Sequence, residues 1–195
     1  MTHPIRFVIT DDLRRSRLTV LFRVVLAMPH WIWATLWTYA AVPLLVFQWL
    51  WALFAGRLEE DVHAFLSRFA RYHVHVYAYL LLFANPWPRF TGHPGYPVDV
   101  DIDGPARQRR LTILFRLVLV IPALVFASVL STVMVLLAVF AWFASLATGR
   151  IPAGMEELGA YCLRYQTQTY AYLLLLTERY PTLAGSGQSS TTAAG

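Results

Sequence analysis

LTVLFRVVLAMP, running from Leu18 to Pro29, returns as LTILFRLVLVIP, from Leu111 to Pro122. The offset that takes Leu18 to Leu111 also takes Pro4 to Pro97 and Pro88 to Pro181 without a gap. Roughly 30 of about 85 paired positions are identical, far above chance even for apolar sequence. The chain is therefore a tandem repeat. The identical pairs include Arg14/Arg107, Arg17/Arg110, Arg23/Arg116, Pro29/Pro122, Trp49/Trp142, Gly56/Gly149, Arg71/Arg164 and Tyr72/Tyr165. The first copy occupies residues 1–93 and the second 94–182, and the polar, small-residue tail 183–195 is expected to be disordered.

Each copy has four parts. IRFVITD and VDVDIDG alternate with a period of two, which predicts a short β-strand. An arginine cluster follows: Arg14, Arg15 and Arg17, then Arg107, Arg109 and Arg110. Next comes a long apolar segment, 18–55 and 111–148, closed by Gly-Arg. Last is an amphipathic helix, about 59–84 and 154–177, with a stripe Val62, Phe65, Phe69, Tyr72, Val76, Tyr79 and Phe83 at spacings of three and four. The fold class is mainly α and membrane-integral. Each copy has a short N-terminal strand, a transmembrane helix kinked or broken at Pro29 and Pro122, with a further kink expected at Pro43 in the first copy only, where the second has Leu136, and an amphipathic helix.

Residues 31–55 and 123–148 carry no charged group. Trp31 and Trp51 stand about 30 Å apart on a helix, the hydrocarbon thickness of a bilayer. Arg23 and Arg116, just inside the apolar segments, are expected to snorkel to lipid phosphates; a buried charge paired with Glu, a carbonyl or a substrate is the alternative. Both copies open with the same strand and arginine cluster, so both are expected on one side. With arginine-rich linkers facing the cytoplasm, this gives a multi-pass inner-membrane protein with cytoplasmic termini. Either the amphipathic helices cross back, for four spans, or the apolar segments form re-entrant hairpins.

Composition agrees. The chain of 195 residues is 57% hydrophobic and only 14% charged, too little charge to cover a soluble surface of this size. The sixteen basic residues are all arginine and the net charge is +5, which suits anionic headgroups. The arginines border apolar segments and do not interleave with exposed aromatics, which argues against nucleic acid. The single cysteine, Cys162, excludes an internal disulfide, and the first residues lack the pattern of a cleaved signal peptide.

His63, His73 and His75 answer to Glu156, Gln166 and Gln168 in the second copy, so polarity and not metal ligation is the shared property; no metal or cofactor is expected. Arg71 and His75 share a helix face, as do Arg164 and Gln168, and could hold an anionic group or line a polar path. Asp99, Asp101 and Asp103 alternate along the second strand and read as a solvated face. No P-loop, HExxH or GxSxG motif occurs.

The pattern LT-x-LFR-x-x-L-x-x-P, an apolar span, GR, then R-Y and YAYLLLLTERYP resembles the DUF4389 family of bacterial membrane proteins. The second copy is the closer match; the first departs at ANPWP. The resemblance implies a membrane protein and assigns no catalytic residue. The expected function is a non-enzymatic lipid-binding or membrane-scaffold module. Membrane lipids would be its partners, with a second copy or another membrane protein as further ones. A small channel or transporter and a membrane-shaping hairpin protein are the alternatives.

Overall fold

The computed structural model describes residues 5–9, 17–105, 108–149 and 151–183. In chain order it holds β1 (Ile5–Ile9), α1 (Arg17–Ala55), α2 (Glu60–Leu80), β2 (Val98–Ile102), α3 (Arg110–Thr148) and α4 (Ala153–Leu173). The repeat is visible in every element. The tail from residue 184 on lies outside the described residues.

The long helices do not break where proline predicted it. α1 continues through Pro29 and Pro43, and α3 through Pro122. One hydrogen bond lost to a proline leaves fewer backbone groups unpaired than two extra helix ends would. Both helices stop at glycine instead. Gly56 and Gly149 adopt φ of 69° and 73°, and their N–H groups donate to Ala52 O and Ser145 O at 2.9 Å. This is the left-handed cap that an L side chain adopts poorly.

α2 and α4 end differently, on a leucine. Leu82 and Leu175, equivalent in the repeat, take φ of 66° and 63°. Phe83 N–H then reaches back to Ala78 O, and Leu176 N–H to Ala171 O, each at 2.9 Å. A leucine in this region costs about 1 kcal/mol. Both side chains are almost wholly buried, so packing offsets the strain.

The two halves are related by a pseudo-two-fold axis. β1 and β2 pair antiparallel about Phe7 and Val100, with Ile5 opposite Ile102 and Ile9 opposite Val98. The repeat offset exchanges those outer pairs. The same reciprocity joins the long helices. Trp49 Nε1–H donates to Ile113 O at 3.0 Å, while its counterpart Trp142 Nε1–H donates to Val20 O, the counterpart of Ile113, at 2.9 Å. The end of α1 therefore meets the start of α3, and the end of α3 meets the start of α1. The two helices run antiparallel.

The order of layers follows from the remaining contacts. α1 packs on α2 and α3 on α4; α1 touches α3, α2 touches α4, and β2 sits on α2. His30 Nδ1 lies 2.8 Å from Tyr72 Oη, and Trp37 packs against Phe65, Phe69 and Tyr72. A two-fold that exchanges antiparallel neighbours runs perpendicular to the layer they form. The molecule is thus a stack along that axis: the β-ribbon, then α2 with α4, then α1 with α3.

This stack inverts the expected roles of the helices. The amphipathic helix α2 buries its expected stripe except for half-buried Phe65 and Phe69, yet it also buries Leu66, Ala70, Val74 and Ala78 on the other side. It is a middle layer and not a surface helix. α1 and α3, more apolar, bury a single seam. That seam runs through Val20, Arg23, Ala27, His30, Ala41, Gln48 and Ala52, and through Ile113, Arg116, Val120, Ala123, Met134, Ala141 and Ser145.

Candidate functional site

Arg23 and Arg116 do not reach outward. Both are buried, with 2% and 1% of their surface exposed. Arg23 Nη2–H donates to Ala84 O at 2.8 Å, and its guanidinium lies 4.2 Å from the centre of the Tyr79 ring. Arg116 repeats this with the equivalent partners: Thr177 O at 3.0 Å and the Tyr172 ring at 4.4 Å. It adds bonds to Tyr172 O and to Gln108 Oε1, the latter at 2.8 Å. The snorkelling expectation is corrected here. Each arginine sits on the buried seam and closes the turn after the left-handed leucine, where a free carbonyl needs a donor. From the sequence Tyr79 reads only as part of the helix stripe; the identity of YAYLLL at 77–82 and 170–175 marks both tyrosines, but no spacing rule pairs them with the arginines.

The polar face of α2 holds the ribbon. Arg71 Nε lies 3.2 Å from Asp99 Oδ1 and donates to Val100 O at 3.1 Å. His75 Nε2 lies 3.1 Å from the same carboxylate oxygen, and its ring rests on Tyr96 at 4.7 Å between centres. Gly95 N–H donates to Asp99 Oδ2 at 2.8 Å. Burial alone would raise the Asp99 carboxyl, but hydrogen bonds from His75 and from the Gly95 and Val100 N–H groups, with attraction to His75, hold it below the ordinary value. Asp99 is thus a clamp and not part of a solvated strand face; Asp101 and Asp103 are exposed.

In the second copy the polar face is used differently. Gln168 Oε1 accepts from Thr182 N–H at 3.1 Å, and the Arg164 guanidinium lies 5.5 Å from the Tyr161 ring centre. Arg71 and His75 come together on Asp99; Gln168 serves the segment after α4, while Arg164 lies over Tyr161 of its own helix. Of the arginines expected to meet lipid, Arg109 and Arg110 are exposed at the start of α3, and Arg110 Nη2–H donates to Phe54 O at 3.1 Å. Arg14, Arg15 and Arg107 lie outside the described residues, as does the Arg17 side chain.

The family model for a domain of unknown function, DUF4389, matches residues 17–91 and again residues 110–184. The chain belongs to the DUF4389 family. No curated protein and no solved structure matches it. Each matched DUF4389 segment contains one complete arginine–tyrosine–carbonyl unit: Arg23, Tyr79 and Ala84 in the first, Arg116, Tyr172 and Thr177 in the second. The ribbon strands fall outside both segments, so the Asp99 half of the clamp does too.

What the two DUF4389 repeats leave uncovered is apolar. Val25–Ala55 and Arg110–Thr148 are long and apolar enough to cross a membrane, and only 17% and 28% of their most apolar stretches are buried. Trp31, Ile32, Tyr39 and Phe54 on α1 are more than half exposed, as are Val118, Val125, Val135 and Phe143 on α3. Between α3 and Tyr170 this face carries a groove of about 590 Å³ lined by Leu124, Ala127, Ser128, Ser131, Thr132 and Val135. Ser128 and Thr132 turn their hydroxyls back onto Val125 O and Ser128 O.

Proposed function

We propose that this chain is a non-enzymatic, lipid-binding membrane module whose α1/α3 layer meets the bilayer. The observation that carries the reading is the inverted burial. The helices with the fewest polar groups lie outermost with their large side chains uncovered, while the helices rich in His, Gln, Thr and Tyr are enclosed. In water such a surface would drive association; in lipid it costs nothing and contributes burial. The location we propose is the cell membrane, approached from the cytoplasm, with the exposed arginines at the helix ends drawing anionic headgroups.

A polar path between the repeats gains no support. Arg71 and His75 are occupied by Asp99, and Gln168 by the Thr182 N–H. The test is flotation of the purified full chain with vesicles of phosphatidylcholine alone and with phosphatidylglycerol added. Flotation with both, stronger with the anionic mixture, is expected. A chain that stays at the bottom of the gradient with either mixture refutes the proposal.

A further inference from the structure

We infer that the molecule lies flat in a single leaflet, with its pseudo-two-fold axis along the membrane normal and α1 and α3 immersed in the membrane plane. This rests on the membrane-binding reading above and adds to it the face, the depth and the number of crossings, which is none.

Three observations lead there. The first is direction. α1 and α3 run antiparallel, joined at both ends by the Trp49–Ile113 and Trp142–Val20 bonds. Were they to cross a bilayer, the two-fold relating them would lie in the membrane plane. The ribbon, centred on that axis, would then sit at mid-depth. Asp99 and exposed Asp101 would enter the hydrocarbon with it, and so would the chain from 84 to 97, which lies outside helix and strand. With the axis along the normal, the ribbon stands in water, the whole thickness of α2 and α4 away from the lipid.

The second is length. α1 and α3 have 39 residues each, about 58 Å of helix against a hydrocarbon thickness of about 30 Å. The charge-free stretches alone, Val25–Ala55 and Leu117–Thr148, are about 47 Å long and would need a tilt of about 50° to stay within it, beyond the roughly 0–40° range of spanning helices. Lying flat needs no match. The third is the segregation of charge. Between Val25 and Ala55 and between Leu117 and Thr148 there is no charged residue. The charges of the inner helix and ribbon, Arg68, Arg71, Asp99 and Asp101, belong to the other layers. The occupant that fits a charge-free face so extended, backed by a polar one, is a phospholipid leaflet.

The test uses the full chain in phosphatidylcholine–phosphatidylglycerol vesicles, with single spin-labelled cysteines in a Cys162→Ser background. Cys162→Ala serves if the serine variant does not fold. Val25, Ile32, Tyr39 and Val46 lie seven residues apart on one side of α1, and Val118, Val125, Thr132 and Val139 are their counterparts on α3; all eight are exposed. Depth is read from collision with oxygen against collision with a water-soluble nickel chelate. The flat arrangement gives one depth for all eight, and a label at Asp101 stays in water. A crossing helix would give depths that deepen toward the middle and become shallow again, since Val25 and Val46 are about 31 Å apart; that result overturns the inference and leaves membrane binding standing. Labels open to the chelate at every position would refute membrane binding itself. Labels shielded from both reagents and coupled to one another would mean that a second copy covers the face, which also overturns the inference.

Discussion

Replacing Arg116 with methionine separates a structural arginine from a lipid anchor. In the fold its guanidinium serves Thr177 O, Tyr172 O and Gln108 Oε1 and covers the Tyr172 ring. Methionine fills much of the volume and donates nothing. Tyr172 O keeps the Leu175 N–H as a donor, so two acceptors lose their partner. A buried acceptor without a donor costs about 1–3 kcal/mol, and the lost cation–π contact about 1 kcal/mol more. Relief from burying a charge offsets part of this. The net loss is about 2–4 kcal/mol, which for a chain of this size lowers Tm by roughly 4–16 °C. The assay is thermal unfolding in detergent micelles, followed by circular dichroism or intrinsic fluorescence. Arg109→Met, at an exposed position, is the control and should leave Tm nearly unchanged. An Arg116→Met chain with unaltered Tm and weakened vesicle flotation would refute the reasoning, since that is the signature of a side chain reaching headgroups.

Three further outcomes follow from the contacts. Trp49→Phe and Trp142→Phe each remove one interhelix bond, at about 1 kcal/mol. The sites lie at opposite ends of the molecule, so the double variant should lose the sum within about 0.5 kcal/mol in denaturant titration. Asp99 has a depressed carboxyl in the folded chain. Its contribution is therefore present above the ordinary carboxylate value of about 4 and is lost as pH falls through the lower folded value; unfolding of Asp99→Asn, followed between pH 6 and 2, should show a flatter acid limb than the parent. At Gly159 an added Cβ would stand 2.2 Å from Phe83 Cζ. Gly159→Ala should lower Tm despite the better helix propensity. Phe83→Leu in the same chain, which copies Leu176 of the second repeat, should restore it.

The repeat, the strands, the helix ends at glycine and the starts of α2 and α4 are legible in the sequence, because identity, period-two alternation and left-handed glycine caps are local signals; α2 and α4 end at Leu80 and Leu173, short of 84 and 177, because a left-handed leucine gives no such signal. The stacking is not legible. Hydropathy gives direction to a helix by contrast between faces, and α1 and α3 are apolar all round, so it could not say which side was covered. The polar residues held that information: Arg23, His30 and Gln48 all fall on the buried seam of α1, and Arg116 and Ser145 on that of α3. The exposed hydroxyls of Thr35, Thr38, Ser128 and Thr132 bond to carbonyls of their own helix; the larger polar side chains, which need partners from another element, mark the inner face. Distance from the basic cluster makes Arg23 look like an anchor, whereas its spacing to Ala27 and His30 puts it on the seam. Asp99 was read as solvated because its partners, Arg71 and His75, lie on another element, where no spacing rule reaches.

The reciprocal ribbon has a consequence for what one half could do alone. A single copy would present a five-residue strand with no partner and a long helix with no antiparallel neighbour. It could complete both only by meeting another chain, at a rate set by how many such chains share the membrane. Joined by residues 81–109, the halves meet at an effective concentration on the order of millimolar, whatever the expression level. Fusion also ends the requirement that the halves be alike. His63, His75 and Ala84 now correspond to Glu156, Gln168 and Thr177, a division of labour that a symmetric pair of identical chains could never evolve.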